Sequence, residues 1–70
     1  MRRNAKLPKF LGQRIQRRRK NFGLTQEELA EKVSISRAYM GFLEQGRNAP
    51  SLELLEKIAK ILRISLSELF

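Results

Sequence analysis

At 70 residues with neither cysteine nor histidine, the chain has room for one small core and lacks disulfides, thiolate nucleophiles, the usual zinc ligands and imidazole acid–base chemistry. Its net charge of +8 is uneven: residues 1–20 hold nine Lys/Arg and no acid, residues 21–70 six Lys/Arg and seven Glu, so the two parts carry +9 and −1. A domain basic at one end suits a polyanion, nucleic acid foremost, with an anionic membrane surface, an acidic protein or a merely solubilising tail as rivals.

Residues 1–8 are basic and interrupted by Pro8, which reads as a flexible arm preceding a domain at 9–70. The start has no apolar run of signal-peptide length, and no later stretch approaches the roughly 18 apolar residues of a membrane span, so a soluble, cytoplasmic protein is expected. The first helix is predicted from Lys9 or Phe10 to Asn21, with Leu11, Ile15 and Phe22 on its apolar side. Arg19 falls on that same side and demands a buried partner, because an unpaired charge there is costly. Arg17, Arg18 and Lys20 are expected to point outward, and Gly23 to end the helix.

A second helix opens at Thr25, with Glu28 three residues on as the other half of a capping box, and turns Leu29, Ala30 and Val33 inward. After a break of Ser34 and Ile35, Ser36 caps a third helix whose inner face is Met40 and Leu43, with Glu44 beside them and Gly46 as its stop. A fourth helix, from about Ser51 to Leu62, is expected to bury Leu52, Leu55, Ile58, Ala59 and Leu62. Ser65-Leu66-Ser67-Glu68 reads as a further capping box that starts a terminal turn with Leu66, Leu69 and Phe70. No stretch alternates with period two long enough for a strand, so the fold class is all-α.

Stretch 24–46 therefore reads as two short helices joined by a tight turn. The side of the third helix opposite Met40 and Leu43 carries Ala38, Gly41, Phe42 and Gln45, with Arg37 at the leading end and Tyr39 on a flank, and none of these is an acid. The ordered run LGQRI, GLTQEELAEKV, ISRAYMGFLEQG, Pro50-Ser51 and LEKIAKIL resembles the phage repressor and Cro type helix-turn-helix proteins, the XRE family, over nearly the whole chain. The resemblance implies a compact five-helix, lambda-repressor-like domain whose third helix enters the major groove of double-stranded DNA. It also implies a nucleoid-associated transcriptional regulator acting as a homodimer on a two-fold operator.

Carried over onto these positions, Gln26 would bind a phosphate. Ser36, Arg37, Ala38, Gly41 and Phe42 would face the bases, Tyr39, Gln45, Arg47 and Asn48 would grip the backbone, and Arg19 with Glu44 would form a structural salt bridge. Three departures stand out: Ser34 replaces the glycine usual in the turn, Gly41 interrupts the recognition helix, and Phe42 stands where a polar reader is common. Arg37 could pair with guanine or merely bind phosphate. Ala38 could touch a thymine methyl or simply allow close approach, and Phe42 could pack on a methyl or serve protein pairing. Gly41 could let the backbone approach DNA or only ease helix packing. The basic arm and first helix could add salt-dependent affinity or be solvated, and Leu66, Leu69 and Phe70 could close the core or meet a second copy. No cofactor, metal, small-molecule ligand or enzymatic activity is expected. The competing functions are an antitoxin or adaptor that chiefly binds protein, and a basic amphipathic protein acting on membranes.

Overall fold

The computed structural model describes residues 9–69. Five helices follow in chain order: α1 (Lys9–Asn21), α2 (Gln26–Lys32), α3 (Arg37–Glu44), α4 (Leu52–Leu62) and α5 (Leu66–Leu69). The expected arm at 1–8 and the contribution of Phe70 lie outside the described residues.

Local chemistry explains where the helices begin. Thr25 Oγ1 accepts from the Glu28 N–H at 3.0 Å while the Thr25 N–H donates to Glu28 Oε1 at 2.8 Å, so two orphan donors at the start of α2 are satisfied together. Ser36 and Ser51 accept in the same way from the N–H groups of Tyr39 and Leu54, each at 3.0 Å. The box expected at α5 forms only by half. The Ser65 N–H donates to Glu68 Oε1 at 2.8 Å, but the Glu68 N–H bonds the Ser65 carbonyl, and the Ser65 hydroxyl turns to the Ser67 hydroxyl and the Glu68 carboxylate. Those bonds from the Ser65 backbone and side chain, with the charge of Arg18 nearby, hold the Glu68 carboxyl below its usual 4.5.

The helices end by a shared device. Each of α1 to α4 is followed by a residue in the left-handed region: Gly23, Ser34, Gly46 and Arg63, at φ of +81°, +63°, +76° and +58°. The N–H of that residue bonds the carbonyl three back, and the next N–H bonds the carbonyl five back, as in Ile35 to Ala30 and Arg47 to Phe42 at 2.9 Å each. Ser34 thus reaches the conformation without glycine's freedom, at a cost of about 1–2 kcal/mol for an L-residue.

All five helices contribute to the core, with α3 packed against α1 and α2, and α4 against α1, α2 and α5. Leu29, Met40, Ile58, Leu62 and Leu69 are completely buried, joined by Leu11, Ile15, Leu43 and Leu55. At about 1.5–3 kcal/mol for each large side chain, these contacts carry most of the stability. Two expectations about the core fail here. Phe22, just past the last residue of α1, is 42% exposed although its N–H still bonds the Arg18 carbonyl four residues back. Leu52 is 60% exposed, being in the first turn of α4 where the neighbouring elements do not reach; Leu54, on the other side, is half-buried against the core instead.

Arg18 does not point freely outward either. Its Nε and Nη2 donate to the carbonyls of Leu62 and Arg63 at 3.2 and 3.5 Å, satisfying acceptors left over at the end of α4. Arg14 acts similarly toward α5, donating to the Glu68 carbonyl at 3.3 Å with its guanidinium over the Phe10 ring. Half of the basic run on α1 is thereby structural. Arg17 and Lys20 remain exposed.

Candidate nucleic-acid interface

The third helix is held from beneath by a glycine that the sequence reading passed over. Gly12 of α1 sits directly on the end of α3: a Cβ there would overlap the carbonyl oxygens of Leu43 and Glu44, which are backbone atoms with nowhere to yield. Its signal was available, since Gly12, Ile15 and Arg19 share one helical face at the i, i+3, i+7 spacing.

Beside that contact, Arg19 and Glu44 pair in the interior at 6% and 5% exposure. The Arg19 Nε donates to Glu44 Oε2 at 2.7 Å and its Nη2 to Oε1 at 3.1 Å, a two-pronged pairing, while Nη1 donates to the Leu24 carbonyl at 2.7 Å. The pair is the buried partner that the apolar-face argument demanded. The network continues outward. Gln26 Nε2 donates to Glu44 Oε1 at 2.9 Å, and Gln26 Oε1 accepts from Arg37 Nη1 at 3.4 Å. Four side chains therefore run from the core to the first residue of α3, with Gln26 joining the two helices across the turn. Gln26 is half-buried and its amide is engaged on both sides.

Above this base α3 divides cleanly. Met40 and Leu43 face the core, whereas Arg37, Ala38, Phe42 and Gln45 are exposed. Ser36 is also exposed, but its Oγ is committed to the Tyr39 N–H as the helix cap. Tyr39 is half-buried against the core on the α4 side, where it lines a shallow groove with Val33, Ile35 and Leu54. On either side of Gly46, Gln45, Arg47 and Asn48 stay exposed, and the Arg47 guanidinium lies over the Phe42 ring, 5.1 Å from its centroid.

Gly41 departs from the expectation. It was placed on the outward face among the base-facing residues, and it is buried. The Gln26 side chain crosses over it on the way to Glu44, so that a Cβ at this position would meet Gln26 Oε1 and Nε2 at 3.8 and 4.0 Å. That is ordinary contact. Neither packing nor backbone torsion requires glycine here.

Taken together, the exposed strip joins one arginine, one methyl-bearing alanine, one aromatic ring and one amide, with a second arginine at the far end and no acid. Such a surface can hydrogen-bond base edges through Arg37, make apolar contacts through Ala38 and Phe42, and hold phosphates through Gln45 and Arg47. Among the described residues no group of three or more acidic side chains is placed to hold a metal ion, and no helix is long and apolar enough to cross a membrane.

Comparison with known proteins agrees with this geometry. Residues 15–69 match the family model described as helix-turn-helix. The chain is 47% identical over 57 residues to the immunity repressor protein of Bacillus phage phi105, covering 81% of this chain and 40% of that one. Among solved structures it is similar to the restriction-modification controller protein C.AhdI from Aeromonas hydrophila, with a TM-score of 0.81 and 40% identity over 86% of this chain and 91% of that one. It is also similar to SinR, a master regulator for biofilm formation determined in complex with DNA, with a TM-score of 0.79 and 37% identity over 84% and 95% of the two chains. The chain belongs to the helix-turn-helix family, in its phage-repressor and Cro branch.

Proposed function

We propose that this chain is a sequence-specific double-stranded DNA-binding transcriptional regulator, repressor-like, that occupies a two-fold operator as a homodimer with α3 in the major groove. The observation that carries this reading is the division of α3: its inner residues are locked by Met40, Leu43 and the Arg19–Glu44 tie, and its outer strip is exposed, free of acids and rigidly based. In support, a relative of similar fold was determined with DNA bound, and another is named an immunity repressor.

In this reading Arg37 donates to a guanine edge, Ala38 and Phe42 make methyl contacts, and Arg47, Asn48 and Gln45 hold the phosphate backbone. Ser36, capped onto its own helix, positions α3 more than it reads. Arg17 and Lys20, exposed on α1, add counterion-release affinity that does not depend on sequence. Paired domains suit the two-fold operator because each subunit reads one half-site, and half-sites about 34 Å apart fall on the same face of the duplex.

Selection from random duplex DNA at a stated salt concentration tests the whole reading. The expected result is a two-fold motif with half-sites one helical turn apart. Recovery of sequences with no shared motif would falsify it, and a motif without two-fold symmetry would remove the homodimer while leaving the specific reader.

A further inference from the structure

Arg47 owes its place to the backbone. Gly46, at φ +76°, turns the chain back over α3, and the Arg47 N–H bonds the Phe42 carbonyl at 2.9 Å. In this kind of helix end the residue leaving the turn lies against the residue five before it, and the contact is commonly apolar. The outgoing residues at the other three helix ends follow that habit, since Leu24, Ile35 and Ile64 are half-buried aliphatic side chains packed against the core. After α3 the outgoing residue is instead an exposed arginine, and what it covers is an exposed phenylalanine, 5.1 Å from guanidinium carbon to ring centroid. That distance lies within the roughly 6 Å of a cation–π contact.

We propose that Phe42 and Arg47 act as one recognition unit, in which the guanidinium holds the ring in place, the ring selects a thymine by its methyl group, and the same guanidinium grips an adjacent phosphate. This rests on the DNA reading above. An unsupported phenylalanine on a helix surface loses side-chain freedom whenever it docks, and a stack formed beforehand spares that loss. A guanidinium suits the double task, because its plane covers a ring while its N–H groups stay free at the rim to donate to phosphate. Phe42, Arg47 and Asn48 also line a single surface niche, so the methyl contact and the phosphate contact fall side by side. Arg47 is on this account a positioning residue as well as a backbone ligand.

The test replaces each thymine of the selected duplex in turn by deoxyuridine, which removes only the methyl group. Affinities are measured for the wild-type protein, Phe42→Ala, Arg47→Ala and Arg47→Lys. Both side chains are exposed, and circular dichroism with thermal melting checks that each variant keeps the fold. One thymine per half-site is expected to matter to the wild-type protein, by about four-fold for a lost methyl contact. The ratio should fall to about one in Phe42→Ala. It should fall equally in Arg47→Lys, which keeps the charge and the salt slope, and in Arg47→Ala, which also lowers the salt slope by about one. A wild-type ratio near one at every thymine overturns the proposal, as does a ratio that survives both Arg47 substitutions, since Arg47 would then be a phosphate ligand alone. Failure to find any preferred duplex sinks the DNA reading first, and is seen before a single deoxyuridine is introduced.

Discussion

The ends of α2 and α3 are built on one backbone turn and carry opposite side chains. After α2 the turn passes through Ser34 at φ +63° and sends Ile35 inward to pack against the core. After α3 it passes through Gly46 at φ +76° and sends Arg47 outward onto Phe42. The same pair of carbonyl bonds closes both. What differs is whether the outgoing residue is claimed by the interior. The turn between the helices belongs to the scaffold, and the turn after α3 belongs to the surface proposed to meet DNA.

The largest expected effect comes from cutting the tie that holds α3 to α1 and to the start of α2. Glu44→Ala leaves Arg19 charged and buried without its partner and releases Gln26, so chemical denaturation should show a loss of about 3–5 kcal/mol. A loss under about 0.5 kcal/mol would mean that the pair is solvated and does not hold α3 in place. Next, Gly46→Ala forces a side chain into the left-handed region and should cost about 1–2 kcal/mol by the same measurement. Because it also disturbs Arg47 over Phe42, it should weaken DNA binding beyond what the lost folding explains, and unchanged affinity would erase the functional side of the contrast.

Ser34→Gly should move stability the other way. Relief of the positive φ is worth about 1 kcal/mol after allowance for glycine's freedom in the unfolded chain, and the melting temperature should rise with DNA affinity unaltered. An altered affinity would place the inter-helix turn at the interface after all. The smallest effect lies far from both ends, at Glu68. Its carboxyl is held below 4.5 by bonds from Ser65, so the stability it supplies is complete above 4.5 and disappears as the pH falls through the lowered folded value. The melting difference between wild type and Glu68→Gln should therefore close on acidification, and a constant difference would show that the bonds do not depend on its charge.

Much of this was readable in the sequence because its causes are local. The caps at Thr25, Ser36 and Ser51 and the stops at Gly23 and Gly46 each involve a few adjacent residues, so residue type and spacing determine them. The need for a partner at Arg19 followed from one-dimensional periodicity. The failures share a different cause. Leu52 has the right phase for the core and lies beyond its edge, because periodicity gives the direction of a face and not the extent of what covers it. Arg18 was read as a free cation because the carbonyls it serves belong to residues 62 and 63, which only the packing of α4 brings near. Gly41 has the phase of the outer face, and the Gln26 side chain lying over it decides its burial. The Phe42–Arg47 stack was hidden for the same reason, since both residues were singled out but not their contact.

The division of α3 has a consequence for how such a protein can change over generations. Ala38, Phe42 and Gln45 are exposed and contribute nothing to the completely buried layer formed by Leu29, Met40 and Ile58. Substitutions there leave the fold's stability almost untouched and add nearly independently of core substitutions. A lineage can thus drift through many outer strips while one inherited chassis of caps, core and Arg19–Glu44 tie stays fixed, so that new preferences arise without a detour through unfolded intermediates.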